Sequence, residues 1–302
     1  MDVLPTLSSP GLRLTATLGA AGLGALWGSF FNVCIARVPR GMSVVRPPSH
    51  CFACGERVWA RDNIPILSYF LLRGRCRHCG AKFSSRHALV EAVAAALSAL
   101  IFWTFVVDAP GVPLGIRAAR FATYFAFAAV LIVLSFIDLD TKRLPDIITL
   151  PAIGVFFLAG FAIHEAPWLE RLLGAAAGYL LVRIVADGYY YATGREGLGL
   201  GDGKLLASMG ALFGWKALPV IVFLASLVGI LISVPVLLLR RPRAAATGPA
   251  PPQSAAAASP PVTASIRRAE VPFGPFLAAS ALGYLFLGKL AWAMLMRTLT
   301  GE

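Results

Sequence analysis

The chain is short of charge. Only 14% of its 302 residues are Asp, Glu, Lys or Arg, while 58% are hydrophobic and the mean hydropathy is +0.74. Soluble domains carry roughly 25% charged residues, so the deficit excludes an ordinary soluble domain and leaves an integral membrane protein. The alternating ~10-residue segments of a transmembrane barrel are also missing. The apolar runs instead approach the ~20 residues that a spanning helix needs, so the expected class is all-α. Acidic side chains are the scarcest charges, 15 against 27 Lys and Arg, for a net charge of +12. The basic residues track the loops, which reads as a topogenic signal in cytoplasmic loops, and no nucleic-acid partner is expected. No basic n-region precedes the first apolar run, so no cleavable signal peptide is expected.

What is present divides the chain into three parts. Residues 1–36 hold a first spanning helix over 14–36, with Gly19, Gly22, Gly24 and Gly28 as small residues suited to close helix packing in lipid. Asn32 near its end either bridges helices or rests at the interface. Residues 37–87 form a polar loop with ten Lys or Arg against only Glu56 and Asp62. That excess places the loop in the cytoplasm and the N-terminus outside. Residues 88–302 form a helical bundle, interrupted at 244–265 by an Ala-, Pro-, Ser- and Thr-rich linker that has no need to fold.

Within the loop stand Cys51-Phe52-Ala53-Cys54 and Cys76-Arg77-His78-Cys79. Paired CxxC knuckles bring four thiolates to one tetrahedral metal, which points to zinc. Gly55 and Gly80 follow the knuckles and suit the tight turn. A disulfide pair is the rival, and a reducing cytoplasm disfavours it. Four protein ligands fill the coordination shell, so the metal is expected to be structural. His78 is a spare ligand candidate, and Cys34, inside an apolar run, reads as a small core residue. Between the knuckles residues 62–72 are unusually apolar. They pack on the zinc site, lie on the bilayer surface or touch substrate, and the first is the plainest reading.

The bundle is expected to cross as helices over 88–107, 118–137, 147–163, 172–191, 217–239 and 272–296, with a short tilted or partial helix over 204–214. With the first helix this makes about eight membrane segments. Residues 108–117 and 164–171 are external turns, and Lys142 and Arg143 mark an internal one. Asp146 is placed to cap the helix after Pro145. Lys289 is expected to snorkel. Arg183 and Asp187, at i and i+4, are expected to pair.

Leu198-Gly199-Leu200-Gly201-Asp202-Gly203-Lys204 sets a carboxylate among glycines at the edge of lipid. An ionisable group at membrane depth costs ~2.5–3.5 kcal/mol on insertion scales, so it marks a functional site. Its partner candidate is Asp138, at the inner end of the 118–137 helix, with Asp140 and Asp146 as near neighbours. An even number of crossings between Asp138 and Asp202 brings both to the same membrane face. Two facing carboxylates share a proton, and the pair can activate water against a peptide carbonyl. The same pair suits a proton- or cation-coupled transporter equally well. The glycines also mimic a dinucleotide fingerprint, but no strand or βαβ unit surrounds them.

Gly28-Ser29-Phe30-Phe31-Asn32-Val33, the two knuckles, Ile137-Asp138 followed by Leu144-Pro145-Asp146, Gly199 to Lys204, and Pro272-Phe273-Gly274-Pro275-Phe276 together resemble the bifunctional prepilin leader peptidase family. The resemblance spans nearly the whole chain with the motifs in order. It implies an aspartic peptidase of the GxGD type in a bacterial inner membrane, with its active site facing the cytoplasm. The implied substrates are type IV prepilins or pseudopilins of type II secretion, which lose their basic leader after a glycine. The implied catalytic pair is Asp138 and Asp202. The resemblance also implies N-methylation of the new N-terminus with S-adenosylmethionine as methyl donor. The linker and the Arg183–Asp187 pair depart from the pattern. Two other classes remain for comparison: an ion-coupled transporter with a zinc-stabilised module, and a secretion-system scaffold that uses the zinc loop for docking.

Overall fold

A computed structural model describes residues 9–164, 166–194, 199–239 and 272–300. The expected linker at 244–265 and the side chain of Lys289 lie outside the described residues. The described residues form helices α1 (Pro10–Arg37), α2 (Leu67–Leu71), α3 (Arg86–Phe102), α4 (Leu114–Thr141), α5 (Asp146–Ile163), α6 (Trp168–Thr193), α7 (Leu200–Phe213), α8 (Ala217–Leu239) and α9 (Gly274–Thr300). Among them only two isolated bridges have strand-like pairing, one at each cysteine knuckle.

All the segments expected to enter the membrane are helical. Pro10–Arg40, Arg86–Val107, Leu114–Thr141, Asp146–Ile163 and Ala217–Pro235 are long and apolar enough to cross. The chain is therefore a multi-pass membrane protein. At 14 residues α7 is only ~21 Å long, short of the ~30 Å hydrocarbon core, as expected of a partial helix.

Helix α4 is the most deeply buried of the five. Its Tyr124, Phe127, Leu131 and Leu134 join Phe156 of α5, Leu205 and Met209 of α7, Ile221 of α8 and Leu277 of α9 in the main core. A second cluster joins Phe31 and Ile35 of α1, Val90 and Ala94 of α3, and Ile132, Val133 and Ile137 of α4. The two clusters use different faces of α4, which pins the helix along its length. Thr141 is the last helical residue, and Lys142 closes the helix in the left-handed region at φ 53. Pro145 then prevents any continuation.

Small residues set the close approaches. A Cβ on Gly24 would lie 2.4 Å from Ala94 O, and one on Gly28 2.7 Å from Glu91 Cα, so α1 and α3 meet backbone to backbone. Gly174 of α6 and Gly210 of α7 face each other in the same way, a Cβ on Gly210 falling 2.2 Å from Gly174 O. Gly19 and Gly22 have open space beside them and do no such work. Asn32 does bridge helices: its Nδ2 donates to His87 O at 3.1 Å and to Gly28 O at 3.3 Å.

Two local expectations are corrected. Arg171, assigned to an external turn, lies inside α6 and is buried. It donates to Ala166 O at 3.1 Å and to Phe157 O, and its guanidinium sits over the Phe161 ring at 4.4 Å. The arginine thus satisfies carbonyls at the α5–α6 turn, a hydrogen-bonding demand that loop composition does not reveal. Asp146 does not cap α5. Pro145 occupies the cap position and Asp146 is the first helical residue, free to pair elsewhere.

The glycine contacts yield a stability test. Gly210→Ala should lower the unfolding midpoint in detergent, as overpacking of ~1–3 kcal/mol does. Gly19→Ala should leave it unchanged within error. Equal midpoints for both variants would contradict the α6–α7 contact.

Candidate active site and metal centre

Asp138 and Asp202 line one cleft of about 1410 Å³. Its other walls come from Leu144 and Pro145, Val182, Phe273 and Leu277, with Val38 and Pro39 beneath α1. The structure therefore brings the two expected carboxylates to the walls of a single cleft. Asp202 is not in a loop, as its glycine-rich surroundings suggested. It lies in the first turn of α7, where an acidic side chain is favoured by the helix dipole.

Asp138 is 5% exposed and needs a partner in that setting. The N–H of Gly274 supplies it, donating to Asp138 Oδ2 at 3.0 Å. Gly274 is the first residue of α9, so its N–H has no intrahelical acceptor and points at the anion. A Cβ at this position would stand 2.7 Å from the same oxygen, so glycine is required there. Sequence reasoning placed Gly274 in a motif without giving it a role. The available signal was a glycine at a helix start, between Phe273 and Pro275.

Two of the glycines around Asp202 serve packing. A Cβ on Gly201 would meet Leu144 Cβ at 2.9 Å, and one on Gly203 would meet Val182 Cβ at 3.2 Å. Gly199 has nothing within 4 Å. The first turn of α7 is thus free to press against the turn after α4, which seats Asp202 on the cleft that Asp138 also lines. Lys204 Nζ holds Asp146 Oδ1 at 2.5 Å, locking α7 to the start of α5. Asp140 is likewise engaged. Arg86 Nη1 lies 2.5 Å from its Oδ1, and Arg86 Nη2 donates to Phe136 O at 2.9 Å. Of the four neighbouring aspartates, only Asp138 and Asp202 line the cleft without a cation against the carboxylate. Arg183 and Asp187 pair at 2.7 Å along α6 and neutralise each other there, as expected.

The loop of residues 37–87 gathers Cys51, Cys54, Cys76 and Cys79, with all four Sγ atoms within 4.8 Å of one another. Cys51 Sγ and Cys79 Sγ are 3.8 Å apart. A tetrahedron with metal–sulfur bonds of ~2.3 Å has edges of about 3.8 Å, so the thiols fit one metal ion. His78 is exposed and outside the group. Each knuckle closes with the same turn. Gly55 N–H donates to Cys51 O at 2.8 Å, Gly80 N–H to Cys76 O at 3.0 Å, and both glycines have positive φ, 71 and 72. The N–H groups of Cys54 and Ala53 pull the Cys51 thiol down to about 7. Those of Cys79 and His78 lower Cys76 in the same way. Thiolate is the ligating form, favoured at Cys51 and Cys76, whereas, despite the N–H of Glu56, burial and the neighbouring sulfurs push Cys54 up to about 12. Arg77 grips Asp62 through Nε at 3.0 Å and Nη2 at 2.6 Å, and holds its carboxyl below the usual range. Cys34 sits against the α1–α3–α4 cluster, away from the thiol group.

Two family models match the chain: the Bacterial Peptidase A24 N-terminal domain over residues 23–105, and the Type IV leader peptidase family over residues 125–234. The first contains the four-cysteine cluster, and the second contains both aspartates. Proteins named Prepilin leader peptidase/N-methyltransferase are similar. The one from Pseudomonas putida is 34% identical over 302 residues, covering 93% of each chain. The one from Aeromonas salmonicida is 37% identical over 232 residues, 77% of this chain and 68% of its own. The one from Neisseria gonorrhoeae is 36% identical over 255 residues, 76% and 85%. No solved structure matches.

Elemental analysis tests the metal centre. The purified chain should carry one metal ion, and a Cys51→Ser, Cys76→Ser double variant should carry none. Wild-type protein purified without chelator and free of stoichiometric metal would refute the site.

Proposed function

The chain belongs to the type IV leader peptidase family, and from that premise we propose that it is a membrane-embedded aspartic endopeptidase whose catalytic pair is Asp138 and Asp202. Its substrates are type IV prepilins or type II secretion pseudopilins, cut behind a short basic leader. The observation that carries the reading is that both carboxylates line one cleft, while Asp140 and Asp146 are held by Arg86 and Lys204.

The chemistry follows from the pair. Two carboxyl groups that face each other hold one proton between them, because both cannot ionise in close contact. The ionised member takes a proton from water as the oxygen attacks the scissile carbonyl carbon. The protonated member donates to the carbonyl oxygen, giving a neutral tetrahedral intermediate. Proton return to the nitrogen breaks the C–N bond and releases the leader carboxylate and the new amine. The Gly274 N–H fixes the orientation of Asp138 throughout.

The excess of Lys and Arg in residues 37–87 supports a cytoplasmic placement of the metal module and of the cleft mouth, which Val38 and Pro39 reach. The membrane is then the bacterial inner membrane. Four thiolates and no open position suit Zn²⁺ in a structural role, held by Cys51, Cys54, Cys76 and Cys79. The second activity, N-methylation of the newly exposed amine, follows from family membership and takes its methyl group from S-adenosylmethionine. No observation favours the transporter.

Cleavage of a prepilin-like peptide in detergent tests the pair. Asp138→Asn and Asp202→Asn should each lower kcat by ~10²–10⁴-fold, the share of a positioned acid or base. Asp140→Asn and Asp146→Asn should retain cleavage. Near wild-type turnover by either of the first two, in folded protein, would refute the assignment.

A further inference from the structure

The sequence leaves the stretch between the knuckles three readings, packing on the zinc site, lying on the bilayer surface or touching substrate, with the first the plainest. The structure turns it outward. Leu67 is 60% exposed, Phe70 68% and Leu71 75%, with Ile64 also exposed. Within α2, Leu67, Phe70 and Leu71 fall at i, i+3 and i+4 on one face, and Ile64 lies just ahead of the helix, one apolar stripe. Tyr69 points the other way, its ring against the Gly74 turn.

The hydrogen bonds fix the depth of this stripe. Ile66 N–H donates to Glu91 Oε2 at 2.7 Å. Glu91 is five residues inside α3, ~7.5 Å beyond Arg86 along a spanning helix. Asn63 Oδ1 lies 3.5 Å from Ser29 Oγ. Ser29 is eight residues before the end of α1, ~12 Å back from Arg37. The chain therefore leaves the first knuckle, dips beside two membrane helices below the level of their ends, and returns at Arg73. Ile66 adopts φ 64 where it reverses, a conformation unfavourable for a β-branched residue that the Glu91 contact holds in place. Apolar side chains at that depth, uncovered by protein, meet acyl chains.

Charge selects the surface. Arg61, Arg73 and Arg75 are exposed around the stripe, while the acids beside it are engaged, Asp62 by Arg77 and Glu91 by the Ile66 N–H. A basic leader peptide is repelled by such a surface, whereas anionic headgroups are attracted. We propose that residues 64–73 are an interfacial anchor, seated at the headgroup–acyl boundary of an anionic phospholipid leaflet. The anchor holds the metal module against the bilayer beside the cleft mouth. It is independent of which peptide the cleft cuts.

The test uses the full chain with benzoylphenylalanine in place of Leu71, or separately of Leu67, reconstituted in mixed phosphatidylcholine and phosphatidylglycerol vesicles and irradiated. The expected result is a phospholipid adduct at both positions, with phosphatidylglycerol captured above its share of the mixture. Loss of that enrichment, adducts to a second copy of the chain, preferential adducts to an added basic leader peptide, or no adduct at either position would each overturn the proposal.

Discussion

A carboxylate buried at the end of an apolar helix is the constraint on which the rest of the architecture depends. Asp138 sits where α4 has just emerged from the two hydrophobic clusters, and it is nearly inaccessible. Such a group is retained only if it is hydrogen-bonded and if something compensates its charge. The start of α9 does the first with one N–H. In the proposed pair the second is met by sharing a proton with Asp202, which is also what would make the pair reactive. Stabilisation and catalysis are thus two consequences of one arrangement, and a helix separated from α4 by a long sequence interval completes it.

Around that centre, charge pairs sort the aspartates. Arg86 ties the first turn of α3 to Asp140 and to the carbonyl of Phe136, so it braces the end of α4 on both sides of Asp138. Lys204 ties α7 to α5 through Asp146. Both pairs are partly exposed, so each adds little to stability. Their value is geometric: they hold the elements that carry Asp138 and Asp202, and they engage two nearby carboxylates elsewhere. The metal module follows similar logic. With few buried apolar side chains of its own, it relies on four thiols drawn to one point, and on the Glu91 and Asp62 contacts that join it to the bundle.

Much of this was legible in the sequence because the signals are local. Long apolar runs, paired CxxC knuckles with following glycines, and an aspartate among glycines each report chemistry within a few residues. The same-face placement of Asp138 and Asp202 followed from counting crossings. What stayed hidden depends on tertiary contact. Gly274 as the partner of Asp138, Leu144 as the reason for Gly201, and Gly174 opposite Gly210 are meetings between distant segments. Asp146 looked like a cap because an acid after a proline at a helix start usually is one, yet the lysine 58 residues later claims it. Arg171 looked like a turn residue because its charge suggested solvent, and its aromatic and carbonyl partners became visible only once α5 and α6 were folded together.

The central claim is that Asp138 and Asp202 act on a single water and a single carbonyl. The most direct measurement is an experimental structure of the wild-type protein with a leader peptide in which the scissile amide is replaced by a hydroxyethylene unit. Its hydroxyl stands for the tetrahedral oxygen. The account predicts that this hydroxyl lies within hydrogen-bond distance, about 2.5–3.0 Å, of both carboxylates. A bound peptide whose hydroxyl touches neither aspartate, or only one, would contradict it.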